Sequence, residues 1–395
     1  VTGHAGRFID PFEDIEMKSQ AIQRVLAVAA ALCVAATAHA TTFTGDVIDG
    51  VRVIEKLDID ALEGGRKHRF YLRGIQMGTG QHWYVPVMVA KGVRPGKKVA
   101  LVAGVHGDEL SPVDAVQRTF AGLDPAQMSG AVLAVIGPSR ASLEMSHRRW
   151  PTPTDGGISI DMNRVWPGKA NGNIVERQAW IVWNNVFKGN TDLVLDHHTA
   201  ATGGGFTFFI FADLTKPDNK RMAELFPVQQ IKNDPGYPGT LETAFVKAGI
   251  PAITLELGGP RSYDKAAIRG TVEGNRNVLI HYGVIPGTIG RTSKEAGTFF
   301  GNKFVTTRAE VGGFAELLVG LGETVKAGQK VAIQRNAFGD VLREYTATVD
   351  GQVATVGSDA IRQPGHRLLQ ILTMAGPPEC PGGVCPPEAE DDYEE

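Results

Sequence analysis

Val99-Ala100-Leu101-Val102-Ala103-Gly104-Val105-His106-Gly107-Asp108-Glu109 is the stretch on which the fold turns. Seven residues without a polar side chain, three of them β-branched valines, read as a strand buried on both faces. The run stops at His106-Gly107, where ionisable side chains replace apolar ones. Outward from it the same pattern repeats. Residues 131–136 (AVLAVI), 193–195 leading into Asp196-His197-His198, 206–211 and 252–257 (AITLEL) read as further strands. Residues 113–120, 177–187, 242–248 and 273–281 carry helical spacing between them. Apolar strands alternating with helices predict an α/β fold: a mixed, mainly parallel sheet with helices on both faces. Upstream, residues 41–96 are of mixed pattern, with short β runs at 70–72 and 83–89.

The character changes near Pro286. From residue 291 to 372 helical periodicity is lost and glycines such as Gly312, Gly313, Gly320, Gly322 and Gly328 punctuate short β runs. This predicts a small C-terminal all-β module of barrel-sandwich type. Residues 319–331 (VGLGETVKAGQKV) resemble lipoyl- and biotinyl-type turns, but residues 347–356 (ATVDGQVATV) lack the lysine that such a carrier modifies. A structural or lid role is expected instead. The chain divides into an upstream extension (1–16), a signal peptide (17–40), an α/β domain (41–290), the β module (291–373) and a disordered acidic tail (374–395).

The signal peptide rests on Lys18 and Arg24, a twelve-residue apolar run (25–36) and the A-x-A ending Ala38-His39-Ala40. Twelve apolar residues are too few for a stable membrane anchor, so an exported protein, periplasmic or secreted, is expected. Cys380 and Cys385, in ECPGGVC, are then positioned for a disulfide in an oxidising compartment. The 395 residues hold 40 basic against 43 acidic side chains, for a formal charge of −3. That near-balance argues against a nucleic-acid partner. With 43% hydrophobic and 21% charged residues, the chain is neither disordered nor collagenous nor a polytopic membrane protein. Oligomeric state is open, a homo-oligomer included.

Candidate chemistry lies at the strand ends. His106 and Glu109 form H-x-x-E, which is weak evidence alone. His198, from a second strand end, would complete three protein ligands with a fourth position open for water, as a catalytic zinc site requires. Asp196 is placed to orient a ligand from behind. Glu256, in Thr254-Leu255-Glu256-Leu257-Gly258, is a carboxylate in a very apolar strand, costly without a partner or a task. Asn163 and Arg164 pair an amide with a guanidinium, suited to a substrate carboxylate. His106, His198 and Glu256 all fall at or near C-terminal strand ends, where open α/β sheets bind ligands. No G-x-S-x-G occurs, and residues 92–98 (GVRPGKK) are one residue short of a phosphate loop.

Taken in order, G-x-H-G-D-E (104–109), D-M-N-R-x-W-P-G (161–168), D-x-H-T-A (196–200) and L-E-L-G (255–258) resemble the succinylglutamate desuccinylase/aspartoacylase family, within the wider zinc-carboxypeptidase group. The resemblance covers about residues 85–284, and the β module also fits it. It implies one Zn2+ held by His106, Glu109 and His198, the histidine immediately before Thr-Ala. It implies that Glu256 is general base and acid, and that Asn163 and Arg164 grip the substrate's carboxylate. An upstream arginine polarises the scissile carbonyl in that family; Arg148 and Arg149 both stand near, and Arg149 is taken forward as substrate-binding. Trp166 replaces the more frequent Phe. The expected activity is zinc-dependent hydrolysis of an N-acyl amino acid or related small carboxylate-bearing amide. The alternatives are an exported metallocarboxypeptidase acting on peptides, cell-wall peptides included, and a non-catalytic metal-containing binding protein.

Overall fold

Along residues 99–103 successive side chains enter opposite cores. Val99, Leu101 and Ala103 join one apolar layer, and Ala100 and Val102 the other, as the period of two along a strand demands. The structure, a computed structural model, describes residues 1–3, 40–152 and 157–376. The signal segment 17–40 (Ala40 apart), with Cys33, and the tail bearing Cys380 and Cys385 lie outside those residues. Among the described residues, no helix is long and apolar enough to cross a membrane.

The first fourteen strands are β1 (Thr42–Ile48), β2 (Val51–Lys56), β3 (Arg66–Gln76), β4 (His82–Lys91), β5 (Arg94–Ala103), β6 (Ser129–Ile136), β7 (Trp150–Pro151), β8 (Ser159–Ile160), β9 (Leu193–His198), β10 (Gly204–Phe206), β11 (Phe208–Ala212), β12 (Gln230–Asn233), β13 (Ala252–Leu257) and β14 (Phe299–Gly301). All but β7, β8 and β10 form one eleven-stranded sheet, in the order β1-β2-β3-β4-β6-β5-β9-β13-β11-β12-β14 among the described residues. Its centre, β6-β5-β9-β13, is parallel throughout. Antiparallel pairs occur further out, as between β11 and β13. The sheet is therefore mixed and mainly parallel, as expected.

Helices cover both faces. The first core packs α1 (Ser111–Ala121), α4 (Pro217–Glu224) and α6 (Lys265–His281) against the sheet. The second packs α3 (Ile174–Val182) and α5 (Leu241–Lys247); the short α2 (Arg140–Glu144) contributes Ala141 to it. Each large aliphatic side chain removed from water here is worth about 1.5–3 kcal/mol.

Three elements differ from the sequence reading. The helix expected at 273–281 begins at Lys265, capped by Asp264. Gly270 and Gly274 hide its first half: a Cβ there would stand 2.6 Å from Phe208 and 1.9 Å from Phe226. The glycines permit close packing and leave no apolar signal. The helix expected at 177–187 starts at Ile174 behind an Asn173–Glu176 capping box and closes in a π turn, Trp183–Phe187. The run 206–211 is two strands in two sheets, divided at Thr207. Residues 94–98 already belong to β5, so GVRPGKK opens no phosphate loop.

The C-terminal strands are β15 (Lys303–Arg308), β16 (Gly313–Leu317), β17 (Thr324–Val325), β18 (Lys330–Arg335), β19 (Val341–Thr346), β20 (Gly351–Gly357), β21 (Ile361–Arg362) and β22 (Arg367–Thr373). They build two antiparallel sheets, β10-β20-β22-β15 with β17 on β20, and β19-β18-β16-β21. Val325, Val331, Val353 and Leu369 fill the space between. The all-β module is thus present. It exchanges strands with the larger sheet, because β10 pairs with β20 and β14 with β12.

Candidate metal centre and substrate pocket

Parallel register brings the site together. Glu256 of β13 pairs with His198 of β9, and β5 flanks β9 on its other side. His106 follows β5 by three residues in a turn that only glycine permits. A Cβ on Gly107 would lie 1.9 Å from the carbonyl oxygen of Ser142, on α2. Across the turn, buried Asp108 accepts hydrogen bonds from the Thr202 backbone N–H (3.0 Å) and hydroxyl (2.7 Å). The H-G-D-E turn is thereby clamped between α2 and the loop that follows β9.

His106 Nδ1 lies 2.7 Å from Glu109 Oε1, His198 Nδ1 2.8 Å from Glu109 Oε2, and the two Nδ1 atoms 3.2 Å apart. All three residues are buried, and one donor atom from each falls within 4.8 Å of the others. The far side of each ring meets a carboxylate. Asp161 Oδ1 is 3.0 Å from His106 Nε2, and Asp196 Oδ2 is 3.0 Å from His198 Nε2. Nε2–H donation from His106 to Asp161 leaves its Nδ1 lone pair facing the shared centre, the arrangement in which histidines hold a metal, and His198, with Nε2 at ion-pair distance from Asp196, turns its Nδ1 to the same centre. Two imidazoles and a carboxylate suit zinc. These side chains therefore fit a single ion. His197 points the other way: Nδ1 lies 3.0 Å from the Val102 carbonyl oxygen and Nε2 3.1 Å from Asn275 Oδ1. Strand alternation selects His198.

The electrostatics follow from packing. Burial and Arg148 push the His106 imidazole down, but Glu109 and Asp161 outweigh them and raise its pKa to about 9. Burial also works against the charged form of His198, yet Asp196 and Glu109 hold it well above the usual histidine range. Glu109 is opposed by burial and held far below the carboxylate range by the two imidazoles.

His106, Glu109 and His198 line a cavity of about 80 Å³ together with Glu256, Asn163, Arg164 and Arg148. Asn163 accepts a hydrogen bond from the Leu241 backbone N–H through Oδ1 (2.8 Å). The carbonyl half of its amide thus seats α5, and the NH2 half is its donor. Arg164 donates to the Asn163 carbonyl (3.0 Å), with its guanidinium 5.2 Å from the Tyr237 ring centre. Its backbone is closely packed too, since a Cβ on Gly239 would sit 2.2 Å from the Arg164 carbonyl oxygen.

Of the two upstream arginines, Arg148 is the one at the centre. Its Nη1 lies 3.0 Å from Glu109 Oε1 and 3.1 Å from His106 Nδ1. Arg149 is exposed and lines a larger cavity outside. Only Arg148 of the pair reaches the imidazoles; the backbone bends at both residues, just before β7, and carries Arg149 to the outer cavity. Arg148, Asp161 and Asp108 carried little sequence signal of their own. Asp161 and Asp108 lay inside quoted motifs, but only the turn geometry shows what they hold.

A mainly parallel α/β sheet with a buried two-histidine, one-carboxylate centre along the ends of its central strands defines the class. Residues 95–282 match the succinylglutamate desuccinylase/aspartoacylase catalytic domain, and this stretch of the chain is similar to that family. N-alpha-acetyl-L-2,4-diaminobutyric acid deacetylase from Halomonas elongata is 28% identical over 289 residues, covering 68% of this chain and 80% of that protein. The product-bound ectoine utilization protein EutE from Ruegeria pomeroyi superposes with a TM-score of 0.69 at 20% identity, over 79% of this chain and 96% of that one. A succinylglutamate desuccinylase/aspartoacylase from Rhodobacter sphaeroides gives a TM-score of 0.68 at 22% identity, over 80% and 98%. At these identities the two structures establish likeness of fold.

Proposed function

We propose that this protein is a zinc-dependent amidohydrolase that removes the acyl group from an N-acyl amino acid or a similar small amide bearing a carboxylate. The observation that carries the reading is the convergence of His106, Glu109 and His198 in one cavity with Glu256, Asn163 and Arg164. The match of residues 95–282 to that catalytic domain supports it, as does the deacetylase activity named for the Halomonas relative. When bound, zinc supplies Lewis acidity, polarising a carbonyl and lowering the pKa of water toward about 7. Asn163 and Arg164 hold the substrate's carboxylate and so fix the amide's position. Glu256 takes a proton from the attacking water and returns it to the leaving nitrogen. Arg148, beside the centre, stabilises negative charge on the carbonyl oxygen as the tetrahedral state forms. Asp161 and Asp196 hold the two imidazoles in the tautomer that presents Nδ1.

The test is a panel of N-acyl amino acids and short peptides, scored for released amine with and without a chelator. Hydrolysis of N-acyl amino acids that stops on chelation and returns with zinc is expected. Glu256→Gln should keep its zinc and lose about a thousandfold in kcat. Parental turnover by that variant refutes the role of Glu256, and chelator-resistant turnover refutes the metal mechanism.

A further inference from the structure

The loop between β13 and α6 (residues 258–264) makes two contacts that the chemistry above leaves unused. Arg261 follows Glu256 in that loop and takes the left-handed backbone conformation, with φ of 53°. Residues with a bulky side chain adopt it only at a cost. Arg261 is exposed, so buried packing does not hold it there. Two hydrogen bonds hold it instead. Its backbone N–H donates to the Asp108 carbonyl (2.7 Å), and its guanidinium donates through Nη2 to the Ser146 carbonyl (2.9 Å). One residue thus joins three stretches of chain: the loop after Glu256, the turn that carries His106 and Glu109, and the segment that carries Arg148.

The segment it grips is bent in the same way. Ser146, between α2 and β7, is also left-handed, with φ of 47°. Its N–H donates to the Leu143 carbonyl (3.1 Å), the His147 N–H to the Ser142 carbonyl (3.0 Å), and the Gly107 N–H to the His147 carbonyl (3.1 Å). Arg148 comes next, and its guanidinium reaches Glu109 and His106. On its far side the loop is fixed. Ser111, at the start of α1, donates to the Ser262 carbonyl (3.0 Å) and accepts from the Asp264 N–H (2.9 Å). The Gly258 carbonyl accepts from the Ala200 N–H (3.0 Å). Among the described residues three non-glycines have positive φ, and two of them, Ser146 and Arg261, meet at this one hydrogen bond. Such strain persists only where surrounding contacts enforce it, and it gathers at working sites.

We propose that Arg261 is a positioning residue for Arg148: its guanidinium holds the 146–149 segment so that Arg148 stands at the carbonyl oxygen of the scissile amide. This rests on the amidohydrolase reading and adds to it a residue that lines neither cavity. Arg261 touches no substrate. It acts by restricting where Arg148 can stand, and a shift of about 1 Å in a group that stabilises developing charge costs rate more than affinity.

Arg261→Gly separates the two contacts. Glycine accepts the left-handed backbone, keeps the N–H that bonds Asp108, and removes only the guanidinium. On an N-acyl amino acid that the wild type hydrolyses, kcat should fall about fivefold, the scale of one hydrogen bond, with KM, zinc content and Tm close to the parent. Arg261→Lys, which keeps a charged donor on a long stem, should recover part of the loss. The discriminating comparison is a double-mutant cycle: in an Arg148→Gln background, Arg261→Gly should cost nothing further. A purely structural role would lower kcat equally in both backgrounds. That result overturns the proposal, as does parental kcat in Arg261→Gly alone. Amide hydrogen exchange supplies a readout without turnover. In Arg261→Gly the N–H groups of Ser146 and His147 should exchange severalfold faster while those of β5 and β9 keep the parental rate. Unchanged exchange across 143–150 also overturns the proposal. A wild type that hydrolyses no amide refutes the amidohydrolase reading, and exchange then decides the clamp by itself.

Discussion

Asp161 couples two tasks that lie far apart in the sequence. One oxygen meets His106 Nε2 and accepts from the Asn163 backbone N–H (2.6 Å). A single carboxylate therefore sets both the orientation of a ring in the candidate metal centre and the turn that carries Asn163 and Arg164. Glu242 is a different kind of residue. It lines the metal pocket, is almost fully buried, and faces Asp234, Asp196, Asp213 and the Thr254 hydroxyl. Burial, then the nearby aspartates, push its pKa well above the ordinary carboxylate value. Above pH 4.5 the unfolded chain loses this proton while the folded protein retains it. The folded state then binds more protons, so stability falls as pH rises. Glu242→Gln removes that dependence and leaves a group able to hydrogen-bond Thr254. Relative to wild type, the variant should gain more in Tm at pH 8 than at pH 5; equal shifts at both would show that Glu242 is ionised in the fold.

At the scale of elements, strand register and tight turns do the positioning. The Glu256–His198 pairing places a carboxylate beside an imidazole on the same face of the sheet, because parallel partners in register point alike. The turn after β5 depends on Gly107, where a Cβ would collide with the backbone of α2. Gly107→Ala should destabilise by about 3 kcal/mol and weaken metal binding together with Tm, as seen by melting and elemental analysis. A variant with unchanged Tm and full metal content would mean that α2 gives way freely. The same principle explains where sequence pattern was silent. The first half of α6 is masked by Gly270 and Gly274. Also unforeseen were α4 and β12: Pro217–Glu224 is largely polar, and Gln230–Asn233 alternates with only one aliphatic residue.

Across the whole molecule, the candidate metal centre depends on the fold. His106 and Glu109 lie some ninety residues before His198, and only the native state unites them. A ligand that binds this state alone stabilises it; at a free concentration of about 100 Kd the gain is about 2.7 kcal/mol. Zinc added to chelator-treated protein should raise Tm by about 5 °C, and His106→Ala or His198→Ala should abolish the rise. No shift in wild type would refute the three-residue metal site. The exchange of β10 and β14 between the main sheet and the C-terminal sheets ties the module to the metal pocket. Arg367 lines the inner cavity from the module's side.

Local pattern was enough to specify an α/β sheet, an all-β module after it, and the strand ends where His106, His198 and Glu256 stand. Hydrophobic periodicity and motif order are written in neighbouring residues, and strand ends are where apolar runs stop. Motif order already pointed to His198, and the fold turns His197 away from the centre; tertiary structure alone decided that Arg148 rather than Arg149 reaches it. It also decided that Asp161 braces His106 and that arginines of the β module border the outer cavity. Those outcomes depend on which way a side chain turns and on what packs against it from distant parts of the chain, and spacing along the chain contains neither.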